Sequence, residues 1–450
     1  MILYEESSSM TASIQKRFFR YVIPNIFGMM SISAYFLADT YFISKGVGPD
    51  GLTALNLVLP IYSLILGVGN MIAIGSATRF RILRAVGDEE ANQYFGNALF
   101  FAILCSLPFV IVGAVFPEAL VRLLGAEGSV ITPSIDYSQV FLWFTPFFMC
   151  NHICAAFVRN DGAPTVAMIA TITSSIFNIV MDYILMFPLG LGMTGAALAT
   201  AFAPIIAITI NLSHLLSKRS TVHLRHVRPS VHRFIHACRL GVAALVGDLA
   251  LGITTLVFNF LILGLVGNIG VAAYGIIANI AYVAGAIFNG LSQGAQPLFS
   301  QYYGEGHWHA LAKVQRLAFI TGFVLALAIT ALTNFFAEPI AAIFNSTGNV
   351  EMGILAVQGI KLYFPGYLFA AFNITATCYL AATTAANWAT LTSLLRGAII
   401  TIPCAFLLST LFGMTGVWST FAAAEAITLL IVSMVIRRCN NRYRKMMGAA

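Results

Sequence analysis

The chain has 450 residues, of which 59% are hydrophobic and only 9% are charged, and its formal net charge is +7. A soluble domain has about 25% charged residues, so this composition excludes a soluble protein and indicates an integral membrane protein. The positive charge does not indicate a nucleic-acid surface, because 20 of the 24 Lys and Arg residues fall on one side of the predicted membrane topology. Basic residues collect in cytoplasmic segments, which predicts that both termini lie in the cytoplasm.

Twelve apolar stretches follow one another along the chain, and each is long enough to cross a bilayer as a helix. They are continuous rather than alternating, which favours helices over the strands of a membrane barrel. The predicted spans are residues 18–43, 52–77, 95–116, 136–157, 164–188, 194–216, 240–265, 271–297, 315–337, 356–380, 387–410 and 414–436. The first fifteen residues are too polar to form a cleavable signal peptide. We therefore predict an all-α integral membrane protein with twelve transmembrane helices.

The two halves of the chain repeat one plan. The stretch "GVGPDGLTALN" at 46–56 is similar to "LVGNIGVAAYG" at 265–275, and "LGMTGAALAT", which ends at Thr200, is similar to "FGMTGVWSTF" at 412–421. Six spans return the chain to its starting side, so the halves run in the same orientation. We predict two six-helix bundles related by pseudo-two-fold symmetry. The N-terminal lobe is 1–216, the cytoplasmic basic linker is 217–239 and the C-terminal lobe is 240–450.

A parallel duplication of helical bundles is a plan of secondary transporters, in which two halves rock around a site between them. A channel or receptor fits less well, because the spans contain no pore-loop signature. An enzyme fits least, since the sequence has neither an HExxH motif nor a glycine-rich phosphate loop between a strand and a helix.

The predicted linker, residues 217–239, contains six Lys or Arg and four His. The spacing of His223 with His226 and of His232 with His236 admits a metal site, although no Cys or acidic ligand accompanies it. The alternative, which we favour, is a solvated basic segment near anionic lipid headgroups.

Five charged residues lie well inside predicted spans, where a charge at the bilayer centre costs about 2.5–3.5 kcal/mol even on insertion scales. They are Asp39, Asp182, Asp248, Glu425 and Arg396. Arg396 and Glu425 both lie near the midplane, so we predict that they form a structural ion pair, or alternatively line a cavity of the C-terminal lobe. Asp248 lies about two turns into span 7 and stands apart from the other acids.

Four polar groups of the N-terminal lobe share one layer in the outer third of the membrane. Asn178 and Asp182 lie four residues apart in span 5 and therefore on one helical face. Asp39 in span 1 and Thr200 in span 6 have the same depth. Together they predict an oxygen-rich cluster suited to a hard cation or a shared proton. The alternative is that each carboxylate is satisfied separately by backbone or water.

Several stretches resemble the multidrug and toxic compound extrusion (MATE) transporters. They are "LADTYFISKGVG" in span 1, its repeat "VGNIGVAAYG", "GLSQGAQPLFSQYYG" in span 8 and "NIVMDY" in span 5. The resemblance covers the full length. It implies a V-shaped secondary antiporter that exports organic cations and other amphiphiles in exchange for Na⁺ or H⁺ by alternating access.

The resemblance also implies roles for single residues. In the DinF-type branch of the family, cation coupling belongs to the positions that Asp39, Asn178, Asp182 and Thr200 occupy here. Pro24 stands where the first helix is proposed to bend on protonation; alternatively it is a static kink, which membrane helices tolerate. Another branch couples through acids in the seventh and tenth helices, but here the tenth span has no carboxylate.

From these observations we expect an antiporter for small amphiphilic cations, with Asp248 and Gln293 as substrate-binding residues. The alternative is a flippase for lipid-linked precursors of the same broad superfamily. We expect no enzymatic activity, no cofactor other than Na⁺ or H⁺ as coupling ion, no nucleic-acid partner, and a monomer in the bacterial inner membrane.

Overall fold

The computed structural model describes residues 2–222, 228–344 and 349–448. These residues are almost entirely helical and contain no strand, which confirms the predicted all-α class. The helices of the first half are α1 (Ile2–Gly46), α2 (Pro49–Ala85), α3 (Ala91–Val115), α4 (Pro117–Leu123), α5 (Ile131–Trp143), α6 (Thr145–Asn160), α7 (Pro164–Met186) and α8 (Gly192–Leu215). Those of the second half are α9 (Val231–Val266), α10 (Asn268–Gly304), α11 (Trp308–Phe335), α12 (Ala337–Phe344), α13 (Val350–Tyr363), α14 (Tyr367–Ala382), α15 (Ala386–Leu394) and α16 (Thr401–Gly448).

The long helices are apolar enough to cross a membrane. In the described part of the chain ten helical segments meet this test, and the pair Gly128–Trp143 and Thr145–Asn160, bent by 51°, makes an eleventh crossing. Apolar side chains also cover outward faces, as lipid contact requires. On α3 the exposed residues at helical spacing are Phe100, Ile103, Leu107 and Ile111. The protein is therefore a multi-pass membrane protein.

A twelfth crossing follows from a reversal inside the last segment, Ala386–Tyr443. Gly413 has φ 58° and ψ −134°, which no helical residue adopts. A side-chain carbon at Gly416 would overlap the carbonyl oxygen of Leu408, although residues eight apart in a straight helix are separated by about 12 Å. The chain therefore folds back at Gly413 and crosses the membrane twice in this segment, so the described residues account for twelve crossings.

The internal repeat is visible in the backbone. A positive φ is accessible to glycine because it has no Cβ, and such glycines recur at the spacing of 219 or 221 residues that relates the two halves. The matched pairs are Gly48 (φ 83°) with Gly267 (φ 72°), Gly87 (φ 77°) with Gly306 (φ 69°), and Gly192 (φ 50°) with Gly413 (φ 58°). The same turns therefore connect equivalent helices in each half.

Internal contacts divide the chain into two compact units. The N unit comprises Ile23–Asp248, and the C unit comprises Met1–Val22 together with Leu249–Ala450. The boundaries between the units, at 22/23 and at 248/249, fall inside α1 and α9. Both helices continue without interruption through these positions. The predicted division into lobes 1–216 and 240–450, with a linker between them, stays a prediction. The linker range 217–239 already contains the first residues of α9, which begins at Val231.

In each unit, the backbone of one helix packs closely on a glycine of a neighbouring helix. In the N unit, a Cβ at Gly75 of α2 would overlap the carbonyl oxygen of Ala237 in α9. In the C unit, a Cβ at Gly294 of α10 would lie 2.6 Å from Cα of Val22 in α1. Gly75 and Gly294 are equivalent in the repeat. Small residues let membrane helices approach backbone to backbone, and both units use this device.

Candidate functional site

The structure brings the four predicted coupling residues together inside the N unit. Asp39 lies on α1, Asn178 and Asp182 lie on α7, and Thr200 lies on α8. Asn178 and Asp182 are fully buried, while Asp39 and Thr200 are 3% and 4% exposed. Helices α7 and α8 are joined by a tight turn, which holds the two faces that carry these groups against each other.

The amide of Asn178 links the cluster. In the orientation that satisfies both neighbours, its Nδ2 donates to Oδ2 of Asp182 at 3.3 Å. Its Oδ1 then accepts from the hydroxyl and the backbone N–H of Thr200, at 3.3 and 3.2 Å. Asn178 thus fixes one carboxylate oxygen of Asp182 and the position of the Thr200 side chain.

Two carboxylate oxygens are left over. Oδ1 of Asp39 and Oδ1 of Asp182 are buried and have no hydrogen-bond partner in the described part of the chain. Both acids belong to one cluster, because Asp39 lines a small cavity with Thr200 and Asn178 bonds to both Thr200 and Asp182. Buried carboxylates that face each other repel and lack hydration, so both cannot ionise without a counter-charge. A single proton or a small cation between them removes this cost.

The donor set is made of oxygen only, from two carboxylates, an amide and a hydroxyl. Oxygen ligands suit hard cations rather than the softer transition metals. No group of three His, Cys, Asp or Glu with a metal-ligand arrangement occurs among the residues that the structure describes. His223 and His226 of the alternative metal hypothesis lie outside the described residues, and the rings of His232 and His236 stack with centroids 6.5 Å apart.

Three tyrosines that the sequence did not identify surround the acids. Tyr35, Tyr62 and Tyr137 line a small cavity together with Asp39 and Thr200. The hydroxyls of Tyr35 and Tyr62 are 3.4 Å apart, and Tyr137 is buried. Tyr35 could have been found from its spacing, since it precedes Asp39 by four residues and shares its helical face. Tyr137 carries no such signal, because it reaches the site from another helix.

The remaining predicted residues lie elsewhere. Asp248 belongs to the N unit, where Nδ2 of Asn70 donates to its Oδ2 at 3.0 Å. Gln293 belongs to α10 in the C unit and is half-buried. Pro24 lies inside α1, which stays helical through it. None of these three lies among the residues that line the cavity beside Asp39.

The C unit contains a second buried polar cluster. Nε of Arg396 lies 3.0 and 3.1 Å from Oε1 and Oε2 of Glu425, and Nη2 lies 2.7 Å from Oε1. Nδ2 of Asn373 donates to Oε2 of Glu425 at 2.7 Å. The structure thus brings the predicted pair together and adds Asn373 on α14, which the sequence analysis missed because an isolated Asn in a span gives no pairing signal.

Comparisons with known proteins agree on one family. The sequence profile of the MatE family matches residues 24–184 and 244–407. The chain is 28% identical over 443 residues to "Multidrug export protein MepA" of Staphylococcus saprophyticus, covering 96% of this chain and 95% of that protein.

Solved structures share the fold. One is the outward-facing conformation of a multidrug resistance MATE family transporter of the MOP superfamily, with TM-score 0.88 and 22% identity. Another is MATE in complex with MaL6, with TM-score 0.90 and 22% identity. Each alignment covers 96% of this chain and 97% of the other. Nearly the whole length of the chain thus shares the fold of these structures.

Proposed function

The chain belongs to the MatE family, and on that premise we propose that it is a secondary active antiporter that exports small amphiphilic, mostly cationic compounds in exchange for H⁺ or Na⁺. The name of the MepA relative, a multidrug export protein, supports the export of drugs. The relatives are transporters, which agrees with the expectation that the chain is not an enzyme.

One observation carries the coupling mechanism, namely the pair of unpartnered oxygens on Asp39 and Asp182. A carboxylate oxygen that is buried without a donor is costly, and a folded protein keeps such a group where a ligand completes it. The pair lies on α1 and α7, so its occupancy acts on the packing of these two helices. This placement supports the same assignment as the DinF-type branch, with Asn178 and Thr200 as neutral oxygen donors.

Proton occupancy and Na⁺ occupancy place different demands on the cluster. A proton on one acid lets that acid donate a hydrogen bond to the free oxygen of the other. A Na⁺ ion would take its oxygens from both acids and from Thr200, and the Asn178 oxygen would join them only if the amide gave up its bonds to Thr200. Either ion removes the repulsion that holds the acids apart, so α1 and α7 pack more closely when the site is filled. Substrate affinity and ion affinity then change each other by the same factor.

Transport by purified protein in vesicles tests the proposal. We expect uphill movement of a fluorescent organic cation when a pH gradient or a Na⁺ gradient is imposed, and the gradient that drives it identifies the ion. Asp39→Asn and Asp182→Asn should each abolish gradient-driven transport, because an amide cannot bind either ion as a carboxylate does. Both proteins should retain normal expression and thermal unfolding, since an amide relieves the repulsion between two acids.

Asp136→Asn is the matched control. Asp136 precedes Tyr137 in α5 but is not among the residues that line the cavity, so its amide variant should transport as the wild type does. Uphill transport at the wild-type rate by either Asp39→Asn or Asp182→Asn would contradict the coupling assignment. Movement of a lipid-linked precursor, with no movement of the cation, would instead favour the flippase alternative.

We also propose the bacterial inner membrane as the location, with both termini in the cytoplasm. The support is the distribution of basic residues, because Lys and Arg concentrate in loops that face the cytoplasm. In the proposed topology, Arg84 at the end of α2, Arg159 at the end of α6 and the basic sequence range 217–239 would all lie on this side.

A further inference from the structure

Arg396 binds Glu425 with only part of its guanidinium group. The bonds use the Nε and Nη2 side of the group. A guanidinium has five N–H donors in a rigid plane. All the side-chain hydrogen bonds of Arg396 seen in the described part of the chain come from Nε and from one N–H of Nη2, so both N–H groups of Nη1 and the second N–H of Nη2 take no part in them. They form an outer edge with the geometry that binds a second carboxylate through two parallel hydrogen bonds.

The outer edge is accessible, whereas the carboxylate behind it is not. The Arg396 side chain is 21% exposed, and the Glu425 side chain is 4% exposed. Arg396 lies ten residues into its span, near mid-membrane, where exposure of a guanidinium to lipid is expensive. A polar ligand that reaches this exposed edge therefore meets the guanidinium before it meets Glu425.

The backbone around Arg396 is irregular, and its hydrogen bonds hold the Arg396 side chain in position. Residues Leu395–Ile399 form a π-helical turn, a feature that occurs frequently at functional sites. The carbonyl of Arg396 accepts from the hydroxyl of Thr401, and the carbonyl of Gly397 accepts from the hydroxyl of Thr254 at 3.2 Å. These side chains satisfy the carbonyls that the irregular turn releases, and so hold Arg396 in position.

An aromatic surface adjoins the pair. Phe421 precedes Glu425 by one turn on the same face of α16, and its ring stacks on Tyr363 with centroids 4.4 Å apart and planes at 9°. Phe421 is half-buried, so part of its ring remains accessible. A planar aromatic ligand can extend the stack while its polar end reaches Arg396.

A purely structural pair would leave fewer groups unused. Oδ1 of Asn373 is buried without a donor, although Nδ2 of the same amide holds Glu425. Native structures satisfy nearly all such groups, with protein or with ordered water. The cluster therefore contains a buried acceptor, Oδ1 of Asn373, that no donor reaches, and N–H donors on the exposed edge of Arg396 that take no part in the bonds to Glu425.

We propose that the outer edge of Arg396, backed by Glu425 and flanked by Phe421, binds the carboxylate of aromatic amphiphilic substrates. The site extends the substrate range beyond cations to zwitterions and acids. This inference rests on the proposed export function, but the site is a binding site of the C unit and needs no ion gradient to be observed.

Binding of a matched pair of probes tests the site. The probes are dansyl-phenylalanine and its methyl ester, which differ only in the free carboxylate, and binding to purified protein in nanodiscs is followed by dansyl fluorescence with empty nanodiscs subtracted. Wild-type protein should bind the acid more tightly than the ester. Arg396→Lys keeps the charge that Glu425 needs but loses the planar edge. It should weaken binding of the acid by about 10- to 100-fold, the range expected when a charged hydrogen bond is lost, and change binding of the ester by less than about twofold.

Two further variants keep the test decisive. Glu425→Gln removes the like charge behind the ligand, so it should strengthen binding of the acid at least about threefold, whereas loss of a purely structural pair would weaken it. Arg122→Lys is the control, because Arg122 forms an exposed pair with Glu118 at 2.8 Å and should change neither probe's binding.

The inference is overturned if wild-type protein binds acid and ester equally, if Arg396→Lys weakens both probes alike, or if Glu425→Gln weakens the acid. A failure of gradient-driven transport in vesicles would refute the proposed function without altering these binding results.

Discussion

A single methyl group at Gly241 should disrupt a close helix contact of the N unit. Gly241 lies on α9 and faces Met71 on α2. A Cβ at this position would overlap the carbonyl oxygen of Met71 and would lie 2.7 Å from its carbonyl carbon and 2.9 Å from its Cα. All three atoms belong to the backbone, so no side-chain rotation relieves the overlap and the helices themselves must separate.

The expected loss is about 2 kcal/mol in the free energy of unfolding. Carbon atoms pack at about 3.5–4.0 Å, so Gly241→Ala must move α9 away from α2 by about 1 Å, and a gap of this size forfeits a quarter to a half of each dispersion contact. Overpacking of this kind costs about 1–3 kcal/mol, and a clash with backbone belongs at the upper end. Replacing Gly by Ala in a helix gains up to about 1 kcal/mol in the opposite direction.

Unfolding of the purified protein by SDS in mixed micelles, followed by circular dichroism, measures this difference. Gly247→Ala is the control, because Gly247 lies six residues further along the same helix and nothing approaches its Cβ position within 4 Å. Helices largely persist in SDS, so the higher helix propensity of Ala stabilises the unfolded state as well as the folded one. The free energy of unfolding of Gly247→Ala should therefore exceed that of the wild type by between zero and about 1 kcal/mol. If Gly241→Ala is as stable as Gly247→Ala, the inferred backbone contact does not limit the packing of α9.

Three other outcomes are expected. In a double-mutant cycle of thermal unfolding, Glu425→Gln should destabilise the protein, and adding Arg396→Gln should partly restore its stability. The reason is that one unpaired charge left at the pair costs more than removal of both charges. Additive losses of stability would count against coupling of the two residues. Asp248→Asn should weaken binding of cationic substrates more than binding of neutral ones, measured by fluorescence titration, and equal losses would indicate a structural role. In cysteine labelling with an impermeant reagent on whole cells, a probe at Asp50 should react and a probe at Arg228 should not; reaction at Arg228 would overturn the predicted topology.

The candidate cluster shows what spacing alone can establish. Asn178 and Asp182 share a helical face because they are four residues apart. The depth of Thr200 in the membrane follows from its distance along span 6. These inferences need only the helical rise and the position of the span, and the structure places the groups side by side. Tyr137 contacts the same cluster from α5, but its sequence position has no periodic relation to the acids, so only the packed structure could identify it.

The sequence by itself determined the membrane class, the number of crossings and the internal repeat. Long apolar runs have no alternative to helices, because hydrocarbon offers the backbone no other hydrogen-bond partners. The equivalent glycines recur because the same turns recur. Only the tertiary structure decided which face of each helix packs against protein and which face contacts lipid. Lipid tails are as apolar as a protein interior, so hydrophobicity does not separate the buried face of a membrane helix from its lipid face. The contact of Gly241 with Met71, the division of α1 and α9 between two units and the place of Asn373 beside Glu425 all depend on that choice.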